Sequence, residues 1–160
     1  LKVCRDLLHE KIPIIDMLTI IEAVADIAEF TKAPEVLLEH VRAKLYRLIT
    51  QKFKDTDGVL HIITIKPELE QQFIGKIQEH HGVSQLMLSI AEINNLVTKT
   101  KKLLDSIEVK KKKKITMVVD PILRKRISEI YEKFGLQVSV LSHAELDSKA
   151  NFAIEGTLEF

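Results

Sequence analysis

Two short stretches of this sequence are built alike: Ile63-Thr64-Ile65-Lys66-Pro67 and Val118-Val119-Asp120-Pro121. Each is a run of β-branched residues, then one polar residue, then a proline opening a helical pattern. Proline suits the first helical turn, because its missing N–H would have had no intrahelical partner there. Apolar runs without alternation are what strands buried on both faces require. Two strand–helix units of this kind call for parallel strands joined by helical crossovers, since tight hairpins join only antiparallel neighbours. The C-terminal part is therefore expected to be a small open α/β sheet domain.

Upstream of Gly58 the period is helical. Val3, Leu7 and Leu8 form a short stripe that Pro13 ends or kinks. Asp16 can cap a second helix whose apolar side carries Ile20, Ile21, Val24, Ile27 and Ala28. Thr31-Lys32-Ala33-Pro34 opens a third helix, with Leu37, Leu38, Val41, Leu45, Leu48 and Ile49 at three- and four-residue intervals. The polar stretch Lys54-Asp55-Thr56-Asp57-Gly58 marks a boundary. The expected class is α/β (α+β overall): an all-helical, bundle-like subdomain over 1–57, then an α/β subdomain over 58–160.

Within that second part, strands are expected at Val59–Ile65, at Ile115–Val119 and over 137–141. Pro67 should open a helix bearing Leu69, Phe73 and Ile77, closed by His80-His81-Gly82. Ser84 can cap a longer helix with Leu86, Ile90, Ile93, Val97, Leu104 and Ile107 on one face. Pro121 should open another with Leu123, Ile127, Ile130 and Phe134, stopped by Gly135. At the end, Phe152, Ile154, Gly156, Leu158 and Phe160 alternate with Ala153, Glu155, Thr157 and Glu159. That predicts a strand with one wet face, at or near a sheet edge.

Charge and cysteine usage narrow the function classes. With 24 Lys and Arg against 23 Asp and Glu, the chain has no strong overall field, so nucleic-acid binding would need a local patch. Cys4 alone cannot build a disulfide framework or a cysteine-rich zinc site. No apolar run approaches the ~20 residues of a membrane helix. The chain opens inside a helical pattern without methionine, as a piece of something longer would.

No chemistry-bearing motif stands out. The five glycines form no phosphate loop, and no nucleophile elbow exists. Ser142-His143-Ala144-Glu145 follows a strand end, but adjacent Ser and His side chains diverge, so Ser142 reads as the cap of a short turn containing Glu145. His80-His81 reads as a polar helix end and His61 as a satisfied core or edge histidine. His9 and His40, beside Glu10 and Glu39, read as solvated helix faces. The run Lys110-Lys111-Lys112-Lys113-Lys114 lacks interleaved arginine or aromatics; it reads first as a solvated connector, and alternatively as a nucleic-acid or anionic-lipid site. No catalytic, cofactor or metal residue is assigned, and the chain is expected not to be an enzyme.

Whole segments carry more information. Pro13-Ile14-Ile15-Asp16-Met17-Leu18-Thr19-Ile20-Ile21-Glu22-Ala23-Val24-Ala25-Asp26 and Thr31-Lys32-Ala33-Pro34-Glu35-Val36-Leu37-Leu38-Glu39-His40-Val41-Arg42 resemble segments of the FlhA/InvA family of type III secretion export-gate proteins. Ile63 to Glu70, Val119 to Arg124 and Val140 to Leu146 are similar to later segments of that family, in the same order. The resemblance covers nearly the whole chain and is greatest to the last two subdomains of the cytoplasmic region of flagellar members. Ile15 and Leu18 stand where the family often has charged residues, and Ala33 and Lys66 where it usually has a capping aspartate. Losing such a cap costs about 1 kcal/mol.

The resemblance implies a non-catalytic platform on the cytoplasmic face of the bacterial inner membrane, with no cofactor, nucleic acid or small-molecule substrate. It implies a homo-oligomeric ring that takes part in receiving and ordering export substrates and their chaperones, whose main docking surface lies upstream of Leu1. The helical subdomain would contribute ring contacts, with Glu22, Asp26, Lys32, Glu39, Arg42 and Arg47 as the exposed polar candidates.

Overall fold

The structure, a computed structural model, describes residues 1–81, 83–111 and 114–160, the side chains of 108–113 excepted. Four helices lead: α1 (Lys2–His9), α2 (Met17–Ala28), α3 (Pro34–Lys44) and α4 (Tyr46–Phe53). Then come β1 (Val59–Ile65), α5 (Pro67–Ile74), β2 (Ile77–His80), β3 (Val83–Leu86), α6 (Ile90–Lys111), β4 (Ile115–Val119), α7 (Pro121–Lys133), β5 (Ser139–Ser142), a 3-10 turn (His143–Glu145) and β6 (Asn151–Leu158). The main sheet has the order β5-β4-β1-β6, and all three pairings are parallel, as the repeated strand–proline construction requires.

Alternate residues of the strands serve two cores, which explains why they read as continuous apolar runs. Leu60, Ile62, Val118 and Leu141 join a cluster with Leu7, Ile12, Ile20, Leu38, Val41, Ile49 and Phe53 of the helical segment. Ile63, Ile65, Met117, Val119 and Val140 join the opposite cluster with Leu69, Phe73, Leu96, Leu104, Leu123, Ile127 and Tyr131. The sheet is thus the middle layer between helices. Among the described residues no helix is long and apolar enough to cross a membrane.

Four local expectations need correction. The third helix is two: the N–H of Leu45 is shared between the carbonyls of Val41 and Arg42, and the chain redirects there before α4. The helix from Pro67 stops at Ile74, and Ile77 instead pairs with Leu86 across an antiparallel hairpin. His81 adopts φ 53 at the hairpin's tip, so His80 and His81 end a strand, not a helix. Such tight connections need positive φ.

The long helix begins at Ile90, so Leu86 and Ser84 belong to β3. Its cap is Ser89, whose Oγ accepts from the Glu92 N–H (3.1 Å) while Glu92 Oε1 accepts from the Ser89 N–H (3.2 Å). In β6 the regular alternation fails. Ile62 pairs with Ile154 but Ile63 with Gly156, leaving Glu155 as the extra residue of a bulge. Ile154 is therefore exposed while Leu158 is buried, and the Glu155 side chain is buried rather than wet. Ala33 and Lys66 make no side-chain cap, as their side chains dictate; the Ala33 N–H is bonded by Thr31 Oγ1 (3.1 Å) instead.

Candidate interaction surface

The α2 helix begins where Asp16 accepts hydrogen bonds from the Thr19 N–H (3.2 Å) and hydroxyl (2.7 Å), satisfying an orphan donor of the first turn. These bonds hold the Asp16 carboxyl below its usual range. Ile20 and Ala23 are buried against the rest of the helical segment. The opposite side of α2 is also apolar: Leu18 is 68 % and Ile21 59 % exposed, with Ile15 (80 %) and Phe30 (83 %) at the two ends of the segment. Beside the polar strip of Thr19, Glu22 and Asp26, this apolar patch stays exposed and has no cover among the described residues. Ile21, which the sequence pattern placed on the packed side, lies on this open one.

Of the six polar candidates, Glu22, Asp26 and Lys32 are exposed on or just beyond α2. Asp26 lies 3.6 Å from His40 Nε2, a long contact. Arg47 is exposed on α4, its guanidinium 5.3 Å from the Tyr46 ring centroid. Surface candidates these four remain.

Glu39 and Arg42 belong elsewhere. Arg42 is 1 % exposed and donates to Glu145 in bidentate fashion, Nε to Oε1 at 2.5 Å and Nη2 to Oε2 at 3.0 Å. Its Nη1 reaches Glu10 Oε1 at 3.3 Å. Arg124, equally buried, donates to Glu39 Oε1 (2.7 Å) and Glu10 Oε2 (2.5 Å). The expectation that Glu39 and Arg42 face solvent is therefore wrong, as is that of a solvated face at Glu10. Arg42 lies between Leu38 and Leu45 on the apolar stripe of its helix, so its position rather than its charge tells where it goes.

Two guanidiniums thus face three carboxylates, which leaves one surplus negative charge. Burial pushes the Glu39 carboxyl up, more than Arg124 brings it down, and its Oε2 has no hydrogen-bond partner among the described residues. Burial also acts on Glu10, but the Arg124 and Arg42 guanidiniums outweigh it and hold that carboxyl below its usual range. For Arg124 burial favours the neutral form, and the Glu39, Glu10 and Glu145 carboxylates override it. The network ties α1, α3, α7 and the turn after β5 together. It is an internal lock whose Glu10, Arg42 and Arg124 also border an open cavity of about 580 Å³ beside His9, Phe53 and Glu132.

The remaining sequence candidates are placed as follows. Ser142 and Glu145 form the expected capped turn, the Ser142 N–H donating to Glu145 Oε2 at 3.2 Å. His9 is exposed and pairs with Glu132. His61 is buried and bonded on both ring nitrogens. In the lysine run, the side chains of 110–113 lie outside the described residues. Lys114 is described: its Nζ donates to the Lys52 carbonyl (3.3 Å) and stands 5.3 Å from the Phe53 ring centroid.

Residues 1–151 match the FHIPEP family. The flagellar biosynthesis protein FlhA of Helicobacter pylori (strain J99) is 40 % identical over 157 residues, covering 98 % of this chain and 21 % of that protein. The crystal structure of the C-terminal domain of InvA superposes with a TM-score of 0.86 at 26 % identity, over 98 % of this chain and 47 % of that one. The cryo-EM structure of nonameric EPEC SctV-C superposes with a TM-score of 0.85 at 20 % identity, over 98 % of this chain and 46 % of that one. The chain thus spans about a fifth of the length of the curated relatives it matches.

Proposed function

Because this chain belongs to the FHIPEP family, we propose that it is part of a type III protein export gate, forming with copies of itself a non-catalytic ring on the cytoplasmic side of the membrane. In this reading the ring takes part in receiving and ordering export substrates and their chaperones. The observation that carries it is the open apolar face of α2 with Ile15, Leu18, Ile21 and Phe30, in a chain whose fold matches the subunit of a nine-membered assembly.

A neighbouring copy covers that face. Fully burying one such side chain is worth about 1.5–3 kcal/mol, so several together can offset the entropy of association. Glu22, Asp26 and Lys32 would rim the patch and fix its register, since rim charges contribute more to specificity than to affinity. Arg47, exposed on α4, is the candidate for a second polar contact.

Leu18→Glu combined with Ile21→Glu should abolish or strongly weaken self-association of the parent protein in sedimentation velocity, with the far-ultraviolet circular dichroism unchanged. Unaltered assembly by a folded double variant would remove the assignment of this face.

A further inference from the structure

The turn joining α4 to β1 gathers three side chains that the export-gate reading does not use. Asp55, Asp57 and His61 each bring one ligand-type atom within 4.8 Å of the others. The turn is held in shape by its own backbone: Gly58 has φ +76, the Thr56 N–H donates to Asp55 Oδ1 (2.7 Å), and the Val59 N–H donates to Asp57 Oδ1 (3.0 Å). The Lys114 N–H donates to Asp55 Oδ2 (3.1 Å), tying the turn to the start of β4.

His61 is 6 % exposed, and its ring is aimed from behind. Nδ1 lies 2.7 Å from Glu155 Oε1, a carboxylate that is 4 % exposed and that the β6 bulge turns inward. Nε2 then faces the turn, 2.9 Å from Asp57 Oδ2. Each ring nitrogen therefore has a carboxylate oxygen within hydrogen-bonding distance.

We infer that Asp55, Asp57 and His61 Nε2 form a binding site for a zinc-class divalent cation, with Glu155 as the carboxylate that orients the histidine. Buried imidazole backed by a carboxylate is the usual way a metal-ligating histidine is fixed in tautomer and direction. Zinc bonds of about 2.0–2.2 Å to nitrogen and oxygen place tetrahedral ligand atoms roughly 3.3–3.5 Å apart. The three donors lie within 4.8 Å of one another, so the 2.9 Å Asp57–His61 pair opens slightly and the wider separations close to meet that spacing. One imidazole and two carboxylates with a fourth position for water match a borderline cation; calcium and magnesium want six or more oxygens or an octahedral shell that this turn does not supply. Binding needs the Nε2 lone pair: a proton held there leaves to solvent, and the Asp57–Nε2 hydrogen bond is replaced by a bond from each residue to the cation. The bound ion would tie the α4–β1 turn, through His61 and Glu155, to the last strand of the sheet.

Isothermal titration of the 160-residue chain with zinc should give saturable binding of one ion, absent for magnesium and calcium. Cobalt should produce the visible absorption of a tetrahedral site. His61→Gln should abolish both signals, and Glu155→Gln should weaken zinc binding about 10–100-fold. If His61→Gln loses its circular dichroism, Asp55→Asn, altered at the turn itself, carries the test with the same expected loss. Absence of saturable zinc binding by the parent chain, or unchanged binding by a folded His61→Gln or Asp55→Asn variant, overturns the site. Such binding would then belong to other histidines.

Discussion

Replacing Arg42 by methionine tests whether the buried charge network holds the helical segment on the sheet. The guanidinium and the Glu145 carboxylate are both 1 % exposed and share two hydrogen bonds of 2.5 and 3.0 Å. Without Arg42, the cation nearest Glu145 is Arg124, its Nε 3.6 Å away and already engaged by Glu39 and Glu10. The carboxylate would keep the Ser142 N–H and little else in a site closed to water. Removing one partner of a buried pair costs about 3–5 kcal/mol, because the other is left charged and unsolvated. For a chain of this size each kcal/mol lowers Tm by about 2–4 °C, so the loss should be roughly 6–20 °C. Removing both charges, as Arg42→Met with Glu145→Met, should be less damaging than Arg42→Met alone, since nothing charged is then stranded. Urea unfolding of the parent, Arg42→Met, Glu145→Met and the double variant, followed by circular dichroism, gives the values needed for the cycle. A single variant within about 1 kcal/mol of the parent would refute the reasoning.

The surplus carboxylate predicts opposite pH responses. The Glu10 carboxyl titrates below its ordinary 4.5 in the fold, so its contribution is present above that value and lost as pH falls through the lower one. The Glu39 carboxyl titrates above 4.5, so its contribution is full below 4.5 and lost as pH rises through the higher value. Glu10→Gln should therefore destabilise at neutral pH, and the deficit should shrink in acid; Glu39→Gln should be neutral or stabilising at neutral pH. Chemical denaturation of the two variants at neutral and acid pH checks the signs, and equal responses would contradict them. At Gly156 an added Cβ would stand 2.7 Å from Leu103 Cδ1, so Gly156→Ala should cost about 1–3 kcal/mol by forcing β6 and α6 apart. An unchanged melting temperature would show that Leu103 simply rotates away.

The parallel sheet was legible because two-sided burial leaves a signature that survives without structure: β1 and β4 are apolar at almost every position. The same signal is ambiguous where faces change locally. Ile77 sits four residues after Phe73, which satisfies a helical stripe as well as it satisfies a strand opposite Leu86. Ser89-Ile90-Ala91-Glu92 is a capping signature that could have set the start of α6, and Ser84 was the wrong serine. The β6 bulge breaks its alternation in a way that no periodicity shows.

The polar candidates divide for a physical reason. Glu22, Asp26, Lys32 and Arg47 stay outside, as charged residues usually do, whereas Arg42 and Glu39 find partners 103 and 85 positions away in the chain. No local pattern shows that Glu10, Arg124 and Glu145 converge on them. The apolar α2 face was hidden differently. A helix whose apolar residues spread over more than one side does not disclose which of them the chain itself will cover.

Hydrogen–deuterium exchange of α2, compared between dispersed protein and the self-assembled state proposed above, addresses the self-contact most directly. Amides over 15–30 should gain protection on assembly. Assembly that protects other segments while leaving α2 as exchangeable as before would contradict the account.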